Sequence, residues 1–199
     1  MRLTATIHLV RHGAHADAGR VLTGRGGDDG LSPAGQAQVA WLAARLAGVA
    51  RVQSSPQRRT RETAQAIAAR AGCAVEQVEA LDEIDFGDWT GRVIAGLDGD
   101  PDWTRWNMQR SVAAPPRGEP MTDAVRRAVA HLDALAGEVL AGPVVCVTHS
   151  DIIRGVVAHY LGLSLDRMLA FDVDPGSLTT LMIGAWGGRL TALNVRDIS

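Results

Sequence analysis

Pro143-Val144-Val145-Cys146-Val147-Thr148-His149-Ser150 is the stretch that decides how the chain folds. Residues 144–147 are apolar at every position, so they read as a short strand covered on both faces. Polar residues follow at once, and Ser150 or Asp151 then caps a helix carrying Ile152, Ile153, Val156, Val157 and Leu161. Near the amino end, Ile7-His8-Leu9-Val10 is a second buried strand, ended by the polar triplet Arg11-His12-Gly13.

Between these two strands the pattern alternates. Residues 14–30 are rich in Gly, Asp and Arg and form a long loop. Ser32-Pro33 supplies a helix cap and a first-turn proline, and the stripe Val39, Leu42, Leu46 predicts a helix over 33–47. Residues 49–53 are a strand candidate. Ser55-Pro56 repeats the cap-plus-proline signal, and a helix follows to about Ala71 with Ala64, Ile67, Ala68 and Ala71 on its buried side. Residues 75–81 are weakly strand-like. Segment 85–120 holds Trp89, Trp103, Trp106 and four of the eight prolines, so it reads as an irregular, cap-like insertion with short helices. Thr122 then caps a helix with the stripe Val125, Val129, Leu132, Leu135, Val139. Residues 169–173, 177–183 and 190–195 read as closing strands, with a hairpin around 184–188. Strands alternating with helices predict an α/β fold: a three-layer α/β/α sandwich with a mostly parallel central sheet, as one domain over 1–199.

Composition narrows the function classes. The chain has 199 residues, 46% hydrophobic and 21% charged, as expected of an ordinary globular protein. A formal net charge of -2 gives no broad basic surface for nucleic acid. No run approaches the roughly 18 apolar residues of a membrane span. Residues 1–5 lack the apolar stretch of a signal peptide. The two cysteines, Cys73 and Cys146, do not make a disulfide framework, and Cys146 reads as a small buried hydrophobe. The expectation is a cytoplasmic monomer or homodimer, without nucleic-acid or membrane partners.

In open α/β sheets, ligands bind beyond the carboxyl ends of the strands. His12 and His149 each follow a strand directly, Arg59 begins a helix after another, and Glu83 follows the weak strand. A phosphate monoester needs just such a set: cations for its oxygens, a nucleophile, and an acid for the leaving oxygen. Arg11 and Arg59 offer bidentate, permanently charged forks. His149 offers a further donor, and the helix beginning at Ser150 offers backbone N–H groups. His12 is the candidate nucleophile. Nearby arginines disfavour its charged form, and a backbone carbonyl of the 13–15 loop would fix its tautomer. Glu83 is the candidate acid and then base.

Five blocks carry a family resemblance. Leu9-Val10-Arg11-His12-Gly13 resembles the signature of the histidine phosphatase superfamily, also called phosphoglycerate mutase-like. Leu31-Ser32-Pro33-Ala34-Gly35-Gln36-Ala37 is similar to its next stretch. Ser54-Ser55-Pro56-Gln57-Arg58-Arg59-Thr60-Arg61-Glu62-Thr63-Ala64 resembles the block with the second catalytic arginine, which falls on Arg59. Leu81-Asp82-Glu83-Ile84-Asp85-Phe86-Gly87-Asp88-Trp89-Thr90-Gly91 resembles the acid block, with Glu83 in register rather than Asp85. Val147-Thr148-His149-Ser150 resembles the block of the second histidine. The resemblance implies a phosphatase working through phosphohistidine at His12. It implies phosphate binding by Arg11, Arg59 and His149, proton transfer by Glu83, and neither cofactor nor metal. Thr23-Gly24 resembles the loop element that touches substrate or phosphate in relatives. The sequence departs from the family just after Gly13, where Ala14-His15-Ala16-Asp17 stands, so the leaving-group side is unfamiliar.

Three alternatives stand beside this reading. A mutase would use the same pocket, but the interval from Glu83 to His149 is short for that branch. A non-catalytic binding domain would have lost the nucleophile or acid, and neither is lost. A metal hydrolase is disfavoured because His12, His15 and Asp17 lack a metal-site arrangement. The substrate is expected to be a small phosphorylated metabolite. Trp89, Trp103 and Trp106 read as packing residues or pocket wall, and Glu119 as a cap for the helix that follows it.

Overall fold

In the computed structural model, β1 (Thr4–Arg11) and β4 (Val144–Thr148) lie parallel at the centre of a sheet. The structure describes residues 4–27, 29–46 and 48–197. Four more strands complete the sheet: β2 (Arg51–Ser54), β3 (Val75–Gln77), β5 (Leu178–Gly184) and β6 (Gly187–Val195), in the order β3-β2-β4-β1-β5-β6. The pairings β3-β2, β2-β4 and β4-β1 are parallel, and the last two strands join antiparallel. The α/β sandwich with its mostly parallel sheet is therefore the observed fold.

Side chains on successive residues of a strand point to opposite faces, and the two central strands use both. Ile7, Leu9, Val144 and Cys146 pack under α4 (Met121–Ala136) and α5 (Ser150–Leu161). Val10, Val145 and Val147 pack on the other face, under α1 (Pro33–Arg45) and α2 (Arg58–Ala71). All five residues of β4 are buried, which is why its sequence shows no alternation. Each such aliphatic side chain contributes about 1.5–3 kcal/mol by leaving water. Burial also pushes the Cys146 thiol up to about 12, so it stays protonated and inert.

Several expected details differ. The helix predicted over 33–47 ends at Arg45, and Ala47 lies outside the described residues. Ser55 does not start α2. Its hydroxyl turns to Thr60 and His149, and the helix begins at Arg58 behind Gln57. The strand predicted over 75–81 stops at Gln77, because its partner β2 ends at Ser54; a 3-10 turn, Glu79–Leu81, follows. Thr122 does not cap α4. The helix starts one residue earlier, behind Pro120 with no side-chain cap, and Val139 lies beyond its end, 89% exposed. Glu119 does not cap it either, because its carboxylate is held by Arg25 and Arg127. His149, not Ser150 or Asp151, occupies the cap position of α5. Residues 169–173 are not a strand. Ser164 caps the 3-10 turn Leu165–Ala170 instead, and the Val173 carbonyl is taken by Arg11.

Segment 85–120 contains two 3-10 turns, Gly87–Trp89 and Ile94–Leu97, and α3 (Pro101–Met108). Trp89 and Trp106 are buried in the same core as α4 and α5, and Trp103 meets Trp89 edge-on at 5.3 Å between ring centroids. These tryptophans fasten the segment to the body and do not line the cavity described below.

The loop after β1 is held by close backbone packing against α1. Ser32 Oγ accepts from Gly35 N–H at 3.2 Å and donates to the Ala14 carbonyl at 3.0 Å. A Cβ on Gly35 would stand 2.1 Å from that carbonyl oxygen. Gly35→Ala is therefore expected to destabilise by about 1–3 kcal/mol, read as a lower urea midpoint with unchanged m-value. An unchanged midpoint would mean that the loop yields freely.

Candidate active site

At the carboxyl ends of β1 and β4 the chain turns into loops whose side chains converge. Arg11 and Thr148 are register partners, so His12 and His149 follow on adjacent strands. The His12 N–H donates to the Thr148 carbonyl at 3.1 Å, and the His12 carbonyl accepts from Gly176 N–H at 3.0 Å. These bonds lock the backbone on both sides. His12 Nδ1 lies 2.9 Å from the Gly13 carbonyl. A carbonyl only accepts, so Nδ1 carries the proton and Nε2 is left with a free lone pair. Burial first, then the Arg59 and Arg11 charges, push the His12 pKa well below the ordinary histidine value. The ring is thus neutral at pH 7. Its neighbours are the rings of His149 at 5.3 Å and His15 at 5.4 Å, centroid to centroid.

Two guanidinium groups stand beside it. Arg11 Nη1 donates to the Val173 carbonyl at 2.7 Å, and Arg59 Nη2 to the Gly24 carbonyl at 2.7 Å. Arg59 is 2% exposed, in the first turn of α2. The Nε atoms of both arginines are buried without a partner, and so is Ser150 Oγ at the start of α5. Buried donors left unpaired are costly, and an anion of several oxygens is the natural acceptor for such a group. The backbone N–H groups at the start of α5 add to it.

His149 is fully buried behind this layer. Arg59 Nη2 lies 3.3 Å from its Nδ1, and Ser55 Oγ 2.8 Å from its Nε2. Arg59 can only donate, so Nδ1 accepts and Nε2–H donates to Ser55. Burial, then Arg59, also hold His149 neutral.

Glu83 follows the turn after β3. Its Oε2 lies 3.6 Å from His149 Nδ1, and its Oε1 accepts from the Ile84 N–H at 3.0 Å. Burial raises its pKa to about 7, helped by the nearby Asp151 charge and opposed by Arg59 and Arg11. Near neutral pH this carboxyl is therefore divided between its two protonation states.

Arg11, His12, Thr23, Gly24, Arg59, Glu83 and Ser150 all line one cavity of about 160 Å³. His149 meets His12, Arg59 and Glu83 from behind and is not among the residues that line the cavity. Asp85 turns away, accepting from the Gly87 N–H at 2.9 Å.

Sequence reasoning missed the supports. Asp82 Oδ1 accepts from the Glu83 N–H at 2.8 Å and from Gln57 Nε2 at 3.0 Å, tying the turn to the α2 cap. Arg25 and Arg127 both donate to the Glu83 carbonyl, at 2.7 and 3.0 Å, while Glu119 binds both arginines. Arg110 reaches Asp151 at 3.0 Å. Asp82 and Gln57 stood inside quoted blocks. Nothing in the irregular 85–120 segment singled out Arg110.

Comparison with known proteins identifies the family. The family model of the histidine phosphatase superfamily (branch 1) matches residues 7–196. The bifunctional protein Rv2228c of Mycobacterium tuberculosis is 31% identical over 86% of this chain, which spans about half (48%) of that relative's length. Phosphoserine phosphatase 1 of Hydrogenobacter thermophilus is 26% identical, covering 84% of this chain and 82% of its own. The solved mycobacterial glucosyl-3-phosphoglycerate phosphatase Rv2419c superposes with a TM-score of 0.83 at 27% identity, over 96% of this chain and 99% of its own. With its sheet, its five sequence blocks and its match over 7–196, the chain belongs to the histidine phosphatase superfamily, branch 1.

Proposed function

We propose that this chain is a metal-independent phosphatase that hydrolyses a small phosphorylated metabolite through a phosphohistidine intermediate at His12. One domain carries the activity, with 85–120 as its cap-like insertion. The observation that supports this most is the environment of His12: a neutral ring with Nε2 free, beside buried arginine and serine donors that lack partners. Nε2 attacks phosphorus, the phosphorus–oxygen ester bond breaks, and protonated Glu83 gives its proton to the leaving oxygen. Glu83, now ionised, takes a proton from water. That water attacks phosphorus, the phosphorus–nitrogen bond breaks, and neutral His12 and protonated Glu83 return. Arg11, Arg59, Ser150 and the amino end of α5 stabilise the transferring oxygens. Thr23 and Gly24 border the phosphoryl site, and Gly24 also anchors Arg59. His149 acts from behind, through Arg59 and Glu83.

The pH profile follows from two groups. The acid must be protonated, so kcat/KM is expected to fall as pH rises through about 7, where Glu83 ionises. The nucleophile must be neutral, and His12 stays so well below the ordinary histidine range, so the acid limb sits low. Turnover of p-nitrophenyl phosphate across about pH 5–8 tests the reading. No turnover would favour a phosphate-binding role, and a profile flat through neutrality for an alkyl phosphate, whose leaving oxygen needs the proton, would remove Glu83 as the acid.

A further inference from the structure

The cavity lining is divided by charge. Its cations, Arg11 and Arg59, are the pair beside His12. Much of the remaining wall is apolar, made by Ala18, Val21 and Leu22 from the loop after β1 and by Phe86 and Ile94 from the 85–120 segment, with His15 and Thr23 beside them. Backbone bonds sew these segments together. Leu22 N–H donates to the Arg92 carbonyl at 3.0 Å, Gly91 N–H to the Leu22 carbonyl at 2.7 Å, and Ile94 N–H to the Arg20 carbonyl at 2.9 Å. The remaining charged lining residues are acids, Glu83 and Asp151.

Arginines of the same loops are turned to other partners. Arg20 pairs with Asp17 at 2.5 Å, Arg25 with Glu119 at 2.7 Å, and Arg92 with Asp100 at 4.0 Å. None of them lines the cavity. A second anionic group on the substrate would therefore meet apolar surface, carboxylates, the Thr23 side chain and the His15 ring, which burial holds toward its neutral form; among the described residues no further cation lines the cavity to receive it. Burying a charge there is unfavourable, and like charges repel. An uncharged alcohol with an apolar body loses nothing by the same contact.

We propose, on the basis of the phosphatase reading above, that this cavity selects phosphate monoesters of uncharged alcohols with an apolar body. It discriminates against esters whose alcohol carries a carboxylate or a second phosphate. The wall that does this is Val21, Leu22, Phe86 and Ile94.

The test compares kcat/KM for phenyl phosphate and 4-carboxyphenyl phosphate on the full chain. The carboxylate makes the phenol a slightly better leaving group, so intrinsic reactivity favours the carboxylated ester. The expected result is the reverse, with the carboxylated ester slower by about ten-fold or more. Ile94→Arg and, separately, Val21→Arg put a cation on that wall, and each is expected to shrink the gap by roughly five-fold. The wild-type ratio decides even where a variant does not fold. Equal or faster turnover of the carboxylated ester, or a gap that neither folded variant moves, overturns the selection and leaves the phosphatase reading intact. Turnover of neither ester overturns both.

Discussion

His12→Ala is expected to lower turnover by roughly ten-thousand-fold or more, since a nucleophile and its supports act as one unit. The same substitution should abolish an acid-labile phosphoenzyme trapped by rapid quench with labelled substrate. The size of the effect follows from how little else could replace His12. His15 has its ring 5.4 Å away, centroid to centroid, but its Nδ1 has no hydrogen-bond partner to fix the tautomer as Gly13 does for His12. His149 is buried, its Nε2 occupied by Ser55. Label that persists on another residue, or turnover within ten-fold of wild type, would sink the assignment. Unchanged thermal unfolding would separate the chemical loss from misfolding.

Glu83→Gln is expected to divide substrates by their leaving groups. Esters of poor leaving groups should lose about a hundred- to ten-thousand-fold in kcat, because they need a proton as the bond breaks. p-Nitrophenol departs with little help, so its ester should lose much less. Equal losses for both would argue that Glu83 holds structure rather than donates a proton. Glutamine keeps an oxygen for the Ile84 N–H and the backbone bonds from Arg25 and Arg127, so the turn stays in place. The variant should also lose the fall of kcat/KM through about pH 7, because the group that ionises there is gone.

The features legible in the sequence were those set by burial on two sides or by a local cap. Strand β4 was clear because each of its residues is covered, and α1 because Ser32 caps it and Pro33 opens it. The cluster at the strand ends was legible because β1 and β4 deliver His12 and His149 directly from the sheet. Features that depend on distant partners were not legible. Glu119 looked like a cap because only its neighbours were visible, whereas its carboxylate answers to Arg25, 94 residues away in sequence. Ser55 looked like a helix start for the same reason, yet its hydroxyl serves His149 across the sheet. Residues 169–173 carried enough apolar character for a strand, but one of their carbonyls is needed by Arg11. Local propensity loses wherever a long-range polar contact holds the backbone elsewhere.

The pairing of β1 with β4 makes the sheet a measuring device. Neighbouring strands keep a pitch of about 4.8 Å, fixed by their hydrogen bonds. His12 and His149 step off that ladder at the same rung, one residue past Arg11 and Thr148. The backbone origins of the two side chains are therefore set by the ladder, while their rotamers set the 5.3 Å between the ring centroids. Mutation nearby can turn a ring but cannot move its backbone origin by small amounts. Only a register slip could do that, in steps of about 3.3 Å and with every side chain thrown to the wrong face. The loops across the cavity are joined by only a few backbone bonds, those of Leu22, Gly91 and Ile94, so their spacing is held less firmly than that of the histidines' backbone.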